Sequence, residues 1–159
     1  MLGRVALAFL LVIGLAATAV AQAPQAPATP TGQAVEASKD VARVYVYRYK
    51  QYAGSALEPS IYCDEVQLAR MDNGRYFVVE LPPGKHAFRA NDKQSVIELD
   101  LKAGQTSYIR MELAMGFWKG SGRLMLMMPE QGTGEVKKLE YLGADKIKDA
   151  KVLKTAPTP

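Results

Sequence analysis

Apolar and polar side chains alternate in short runs from Val41 to Tyr141, and a period of two marks strands that turn one face to a core. In Val41 to Tyr49, Val44 and Val46 point one way and Tyr45, Tyr47 and Tyr49 the other. Residues 51–60, with Gly54 and Pro59, read as a loop. Further on, Asn73-Gly74 separates two strand-like runs, and both residues tolerate the positive φ of a type I′ turn, so the pair predicts a hairpin. Its register sets Arg70 opposite Phe77, Leu68 opposite Val79 and Val66 opposite Leu81 on one face. Gln67 with Glu80, Ala69 with Val78 and Met71 with Tyr76 fall on the other. Pro82-Pro83-Gly84 ends that strand in a turn, and Lys85 to Ala90 resumes extended structure with His86 and Phe88 on one face.

A second hairpin is predicted around Gly104, with Leu99 facing Ile109, Ile97 facing Met111, and an ion pair between Glu98 and Arg110 outside. A glycine-punctuated loop from Leu113 to Gly122 carries Phe117 and Trp118. Arg123 to Met128 is apolar on both faces, which predicts a strand in mid-sheet or under a covering loop. Glu130 to Gly134 reads as a turn and Glu135 to Tyr141 as a last strand, where Val136 and Leu139 fall on opposite parities and need a bulge to share a face. About eight short strands at this spacing predict an all-β fold, an antiparallel β-sandwich.

The ends of the chain do not belong to that pattern. Arg4, the apolar run from Val5 to Leu15 and the small residues after it form a secretory signal, with cleavage expected after Ala21 and an uncleaved anchor over Val5 to Ala23 as the rival. No cysteine follows the apolar run, so a lipoprotein anchor is not expected. The address is then periplasmic or secreted. Residues 22–39, rich in Ala, Pro, Gln and Thr, read as a flexible linker. The sandwich domain spans 40–142, and 143–159 reads as a lysine-rich tail with spacing for a short helix over Ala144 to Leu153 and a disordered end.

Candidate chemistry changes this picture little. The net charge of +4 is spread among acidic residues, whereas nucleic-acid binding needs a clustered basic face. One histidine, His86, and one cysteine, Cys63, are present. A Cys63–His86 thiol dyad lacks the orienting third group that such catalysis needs, and Cys63 reads first as a small buried hydrophobe. The carboxylate pairs Asp64-Glu65 and Glu98/Asp100 have no second oxygen cluster. Neither catalytic, metal nor cofactor-binding residues are therefore expected. Tyr45, Tyr47, Tyr49, Tyr52 and Tyr62, five of the eight tyrosines, crowd one region, and the first three share a strand face. They are the candidate contact surface, a flat aromatic platform for a sugar ring or a partner's side chains. Phe117 and Trp118 are a second candidate, for a protein partner or a membrane surface.

Ala42 to Arg48, Gly74 to Phe77, Leu81 to His86 and Gly104 to Arg110, within a match over roughly Asp40 to Tyr141, resemble an exported bacterial family, domain of unknown function 2846, itself similar to PEGA and other transthyretin-like modules. PEGA-like modules carry Asp-Gly in the first hairpin, where this chain has Asp64-Glu65. The resemblance implies a β-sandwich and an exported address, and it supplies no activity. The sequence thus predicts a non-enzymatic module that touches an envelope protein or polysaccharide, with a carbohydrate-binding domain using the tyrosine face as the rival and an exported thiol enzyme as a remote third.

Overall fold

A computed structural model describes residues 40–91, 95–113 and 122–157. Among these, β1 (Ala42–Arg48), β4 (Arg75–Leu81), β7 (Thr106–Leu113), β8 (Gly122–Met127) and β9 (Glu140–Tyr141) form one sheet in the order β8-β7-β1-β4-β9. The second sheet, in the order β3-β2-β5-β6, contains β2 (Ser60–Cys63), β3 (Val66–Arg70), β5 (Gly84–Arg89) and β6 (Val96–Leu101). Among the described residues one α-helix, α1 (Pro129–Val136), packs against β7. The β-sandwich is as the alternation requires, although β1 runs parallel to β7 and β4 parallel to β9. Val44 and Val46 of β1, Phe77, Val79 and Leu81 of β4, Ile109 and Met111 of β7, and Ile61, Leu68, Phe88, Leu99 and Leu101 from the facing sheet make one core.

Both predicted hairpins are instead crossings between sheets. β3 and β4 lie in different sheets, as do β6 and β7. Leu68 and Val79, and Leu99 and Ile109, do share the core, but from opposite layers. Alternation alone cannot separate the two cases: a strand pair that folds side by side and one that arches over the core both turn their apolar sets inward. The true neighbours of β6 are in β5, with Leu99 opposite His86 and Ile97 opposite Phe88. Arg110 pairs with Glu112 and Glu135, not with Glu98.

The tight two-residue turn lies elsewhere. Asp64 and Glu65 have φ of 50° and 65° and join β2 to β3, whose ends pair Cys63 with Val66. Left-handed backbone costs a side-chain-bearing residue roughly 1–2 kcal/mol, and contacts described below offset it. A bulge follows, since Ile61 faces Ala69 while Tyr62 faces Gln67, so Leu68 and Ala69 are both buried. At the arch, Gly74 has φ of 72°, and Asn73 both accepts from the Gln51 N–H and donates to its carbonyl, at 2.9 and 2.8 Å. Asn-Gly therefore ties the arch to the loop after β1. Arg48, of inward parity and fully buried, closes the same end by donating to the carbonyls of Leu57 and Gly54, both at 2.7 Å.

Residues 129–153 depart most from expectation. Glu135 to Tyr141 is not one strand. Pro129 opens α1 and Glu130 sits in its first turn, both favourable at a helix start. Val136 and Leu139, three apart, pack on the same tyrosine cluster, which is why they conflict as strand residues. Gly132 is buried where a Cβ would stand 2.3 Å from the Tyr108 ring. Beyond α1 the lysine-rich segment is a strap. The predicted helix over Ala144 to Leu153 is reduced to a 3-10 turn at Ala144–Lys146. Ile147 then bridges to Ala69 on the edge of β3, and Val152, 1% exposed, bridges to Val79 of β4. Lys146 anchors the turn to Glu58 at 2.6 Å. At the opposite edge, β8 is neither in mid-sheet nor covered by a described segment: Leu126 and Met128 are 55% and 70% exposed.

Two measurements check this packing. Alanine for glycine inside a helix ordinarily stabilises by about 1 kcal/mol, but Gly132→Ala should destabilise by about 1–3 kcal/mol because α1 must lift from Tyr108; urea unfolding gives the sign. Val152→Ala should cost about 1–2 kcal/mol in the same assay, and an unchanged midpoint would mean that the strap is not docked.

Candidate functional site

The outward face of the five-stranded sheet gathers tyrosines from four strands. Tyr45 and Tyr47 come from β1, Tyr76 from β4, Tyr108 from β7 and Tyr141 from β9, brought level by a register that sets Tyr45 beside Tyr108 and Tyr47 beside Tyr76. The Tyr45 ring lies near-parallel to those of Tyr76 and Tyr108, with centroids 6.2 and 5.1 Å away. Tyr141 meets Tyr76 edge-on at 5.0 Å.

Helix α1 divides this face. Tyr47 is fully buried and Tyr108 nearly so, with Val136 and Leu139 packed against the cluster. The Tyr47 hydroxyl donates to Glu135, which also accepts from Gln131 at 2.8 Å and from Arg110 at 3.4 Å. Burial, then the Glu135 carboxylate, pushes the Tyr47 phenol well above its ordinary range. Burial works against charge on Glu135, but the hydroxyls of Tyr47 and Tyr49, the Gln131 amide and Arg110 outweigh it and hold that carboxyl below the usual range. Tyr49 is partly open, edge-on to Tyr47 at 6.0 Å. Of the three tyrosines read from the first strand, Tyr47 is therefore a structural prop for α1, while Tyr45 and Tyr49 retain open surface together with Tyr76. Tyr52 is wholly exposed on its loop, and Tyr62 lies under the Arg89 guanidinium at 3.9 Å in the other sheet. Phe117 and Trp118 lie outside the described residues.

A second group forms at the Asp64-Glu65 turn. Asp64 Oδ1 accepts from the Ala87 N–H at 2.9 Å, and Asp64 Oδ2 lies 2.7 Å from His86 Nδ1. His86 Nε2 faces the Pro82 carbonyl oxygen at 2.9 Å, a partner that can only accept, so this nitrogen carries a proton. Burial opposes charge on Asp64, yet the Ala87 N–H and His86 hold its carboxyl below the usual range. Glu65 accepts from Arg89 Nε and Nη2 at 2.9 and 2.8 Å. Both strained turn residues are thus fastened to β5, which repays their backbone conformation.

Cys63, at the end of β2, donates to Asp64 Oδ2 at 3.6 Å. Burial first, and the Asp64 charge second, push its thiol up to about 12. The two nitrogens of His86 go to Asp64 and Pro82, so the imidazole is not hydrogen-bonded to the thiol as a Cys–His dyad would require. Donor atoms of Cys63, Asp64 and His86 lie within 4.8 Å of one another, a grouping that no spacing in the sequence announces. Its one sequence signal is the acidic pair standing where a tight turn favours glycine.

No helix among the described residues is long and apolar enough to cross a membrane. No curated protein and no solved structure matches the chain. A family model does match over residues 38–122, from just before β1 to the start of β8. The chain belongs to the family described as protein of unknown function DUF2846.

Proposed function

We propose that this chain is an exported, non-enzymatic β-sandwich module that acts by surface contact with a protein or polysaccharide of the bacterial envelope. The observation behind this reading is the tyrosine stack. Tyr45 and Tyr76 hold near-parallel rings, 6.2 Å apart, and keep part of their surface open on a sheet face where Tyr47 and Tyr108 are buried. Phenol rings held by strands on a rigid sheet offer apolar area at little entropic cost, with hydroxyl groups to bond a polar partner. The Arg4 to Ala21 segment supports export. A thiol pushed up to about 12 and turned to a carboxylate is the reverse of an activated nucleophile, which supports a binding role.

The second reading is a carbohydrate-binding domain, favoured by the same rings: Tyr45 is stacked between Tyr76 and Tyr108, so ring edges and phenol hydroxyls would meet the C–H and hydroxyl groups of a sugar. The Phe117-Trp118 loop is a further proposed contact, to a partner or a membrane surface.

Co-sedimentation with purified envelope polysaccharide, beside photo-crosslinking from position 45 in intact cells, separates the readings. Tyr45→Ala and Tyr76→Ala should each weaken polysaccharide binding about tenfold, equivalent to about 1.4 kcal/mol, with unchanged circular dichroism. A discrete protein adduct without polysaccharide binding selects the protein partner. Neither adduct nor binding overturns the tyrosine face as the contact surface.

A further inference from the structure

Cys63, Asp64 and His86 offer a thiol, a carboxylate and an imidazole within 4.8 Å of one another, and the contacts around them orient two of the three. Pro82 takes the Nε2 proton of His86 at 2.9 Å, which turns Nδ1 toward the other two donors. The Ala87 N–H holds Asp64 Oδ1 at 2.9 Å and leaves Oδ2 facing inward. A histidine whose outer nitrogen is held by a backbone carbonyl, beside a carboxylate held by an amide, is the outer-sphere pattern of metal ligands. Neither Pro82 nor Ala87 belongs to the donor group itself.

We infer that Cys63 Sγ, Asp64 Oδ2 and His86 Nδ1 form a three-ligand site for a borderline-soft divalent cation of the zinc class, with a solvent molecule completing the coordination. Metal–ligand lengths of about 2.0–2.3 Å set the edges of a tetrahedral site at roughly 3.3–3.8 Å. The Cys63–Asp64 spacing of 3.6 Å already fits. The 2.7 Å Asp64–His86 contact opens as the cation replaces the bridging proton, the Cys63 thiol releases its own proton to solvent as it ligates, and Sγ and Nδ1 close toward the same length. Sulfur, nitrogen and oxygen together select zinc-like ions over magnesium or calcium, which prefer oxygen alone. The Asp64 side chain is 44% exposed and that of His86 11%, so the site opens to solvent on the carboxylate side. Two ligands stand on strands, Cys63 at the end of β2 and His86 in β5, and the strained turn fixes the third between them. Lys151 and Asp149 of the strap act on Cys63 with opposite sign.

Cobalt(II) titration of the full chain, read by absorption, tests the site, because thiolate ligation adds a sulfur-to-metal charge-transfer band and four-coordination intensifies the d–d bands. One equivalent should bind with both signatures, and zinc(II) should displace it. Cys63→Ser should abolish the charge-transfer band. Asp64→Asn keeps a side chain suited to positive φ and so preserves the turn; it should weaken cobalt binding at least tenfold with unchanged circular dichroism. Absence of the charge-transfer band, or equal binding by the wild type and both variants, assigns any bound cobalt to adventitious surface carboxylates and overturns the site.

Discussion

A sheet edge leaves a row of backbone groups that must find partners, and in this molecule one strand's edge decides how the whole sandwich closes. β4 has β1 on one side; its other side is supplied by two separate pieces of the C-terminal segment. Leu142 donates to the Tyr76 carbonyl at 2.8 Å, Leu153 to the Val78 carbonyl at 2.9 Å, and Glu80 donates to the Lys151 carbonyl at 3.0 Å. Between the pieces the Tyr141 hydroxyl accepts from the Val78 N–H at 3.3 Å and donates to the Leu153 carbonyl at 2.6 Å. On the way, Lys148 donates to the Leu68 carbonyl of β3 at 2.8 Å. One strap therefore satisfies the neighbouring edges of both sheets and seals the core between them. The family match ends at residue 122, so this closure is made by residues beyond it.

The same economy shapes the outer face. β1 is buried on both sides, with Val44 and Val46 in the main core and Tyr47 under α1. The tyrosines are consequently not one platform but two populations. Tyr47 and Tyr108 hold the helix, the Tyr108 hydroxyl donating at 2.9 Å to that of Thr133, whose own proton goes to the Pro129 carbonyl, while Tyr45, Tyr49 and Tyr76 keep surface of their own. Glu135 links the two, since its carboxylate accepts from the hydroxyls of both Tyr47 and Tyr49. A partner that meets this face meets rings already held in place, with little ordering left to do on binding.

How much of this was legible in the sequence depends on the range of the interaction concerned. Strand existence and inward parity are local, and Val44, Val46, Phe77, Val79, Leu99 and Ile109 all read correctly as core. Pairing is not local: Asn73-Gly74 looks like a hairpin turn because its conformational freedom is real, but Asn73 spends it on the Gln51 backbone. Asp64-Glu65 hides the actual tight turn, because its strain is repaid by His86, Ala87 and Arg89, residues more than twenty positions away. The helix at Pro129–Val136 was missed because Gly132 and Gly134 read as turn residues, although Gly132 is there to make room for Tyr108. Of the candidate contacts, Tyr45, Tyr47 and Tyr49 were found by alternation within one strand; Tyr76, Tyr108 and Glu135 join them only through tertiary register.

Closure by the strap leaves a sandwich whose distinctive surfaces are the tyrosine face, proposed above as the contact surface, and the Asp64 turn, proposed as a cation site. Both depend on β4 and β5 being held rigidly in their layers. Native-state amide hydrogen exchange at Val78 and Glu80 tests that closure most directly, since these two N–H groups point away from β1 toward the C-terminal segment. Exchange as slow as at Phe77 and Val79, which pair with β1, is predicted. Exchange at the rate of an unprotected edge would contradict it.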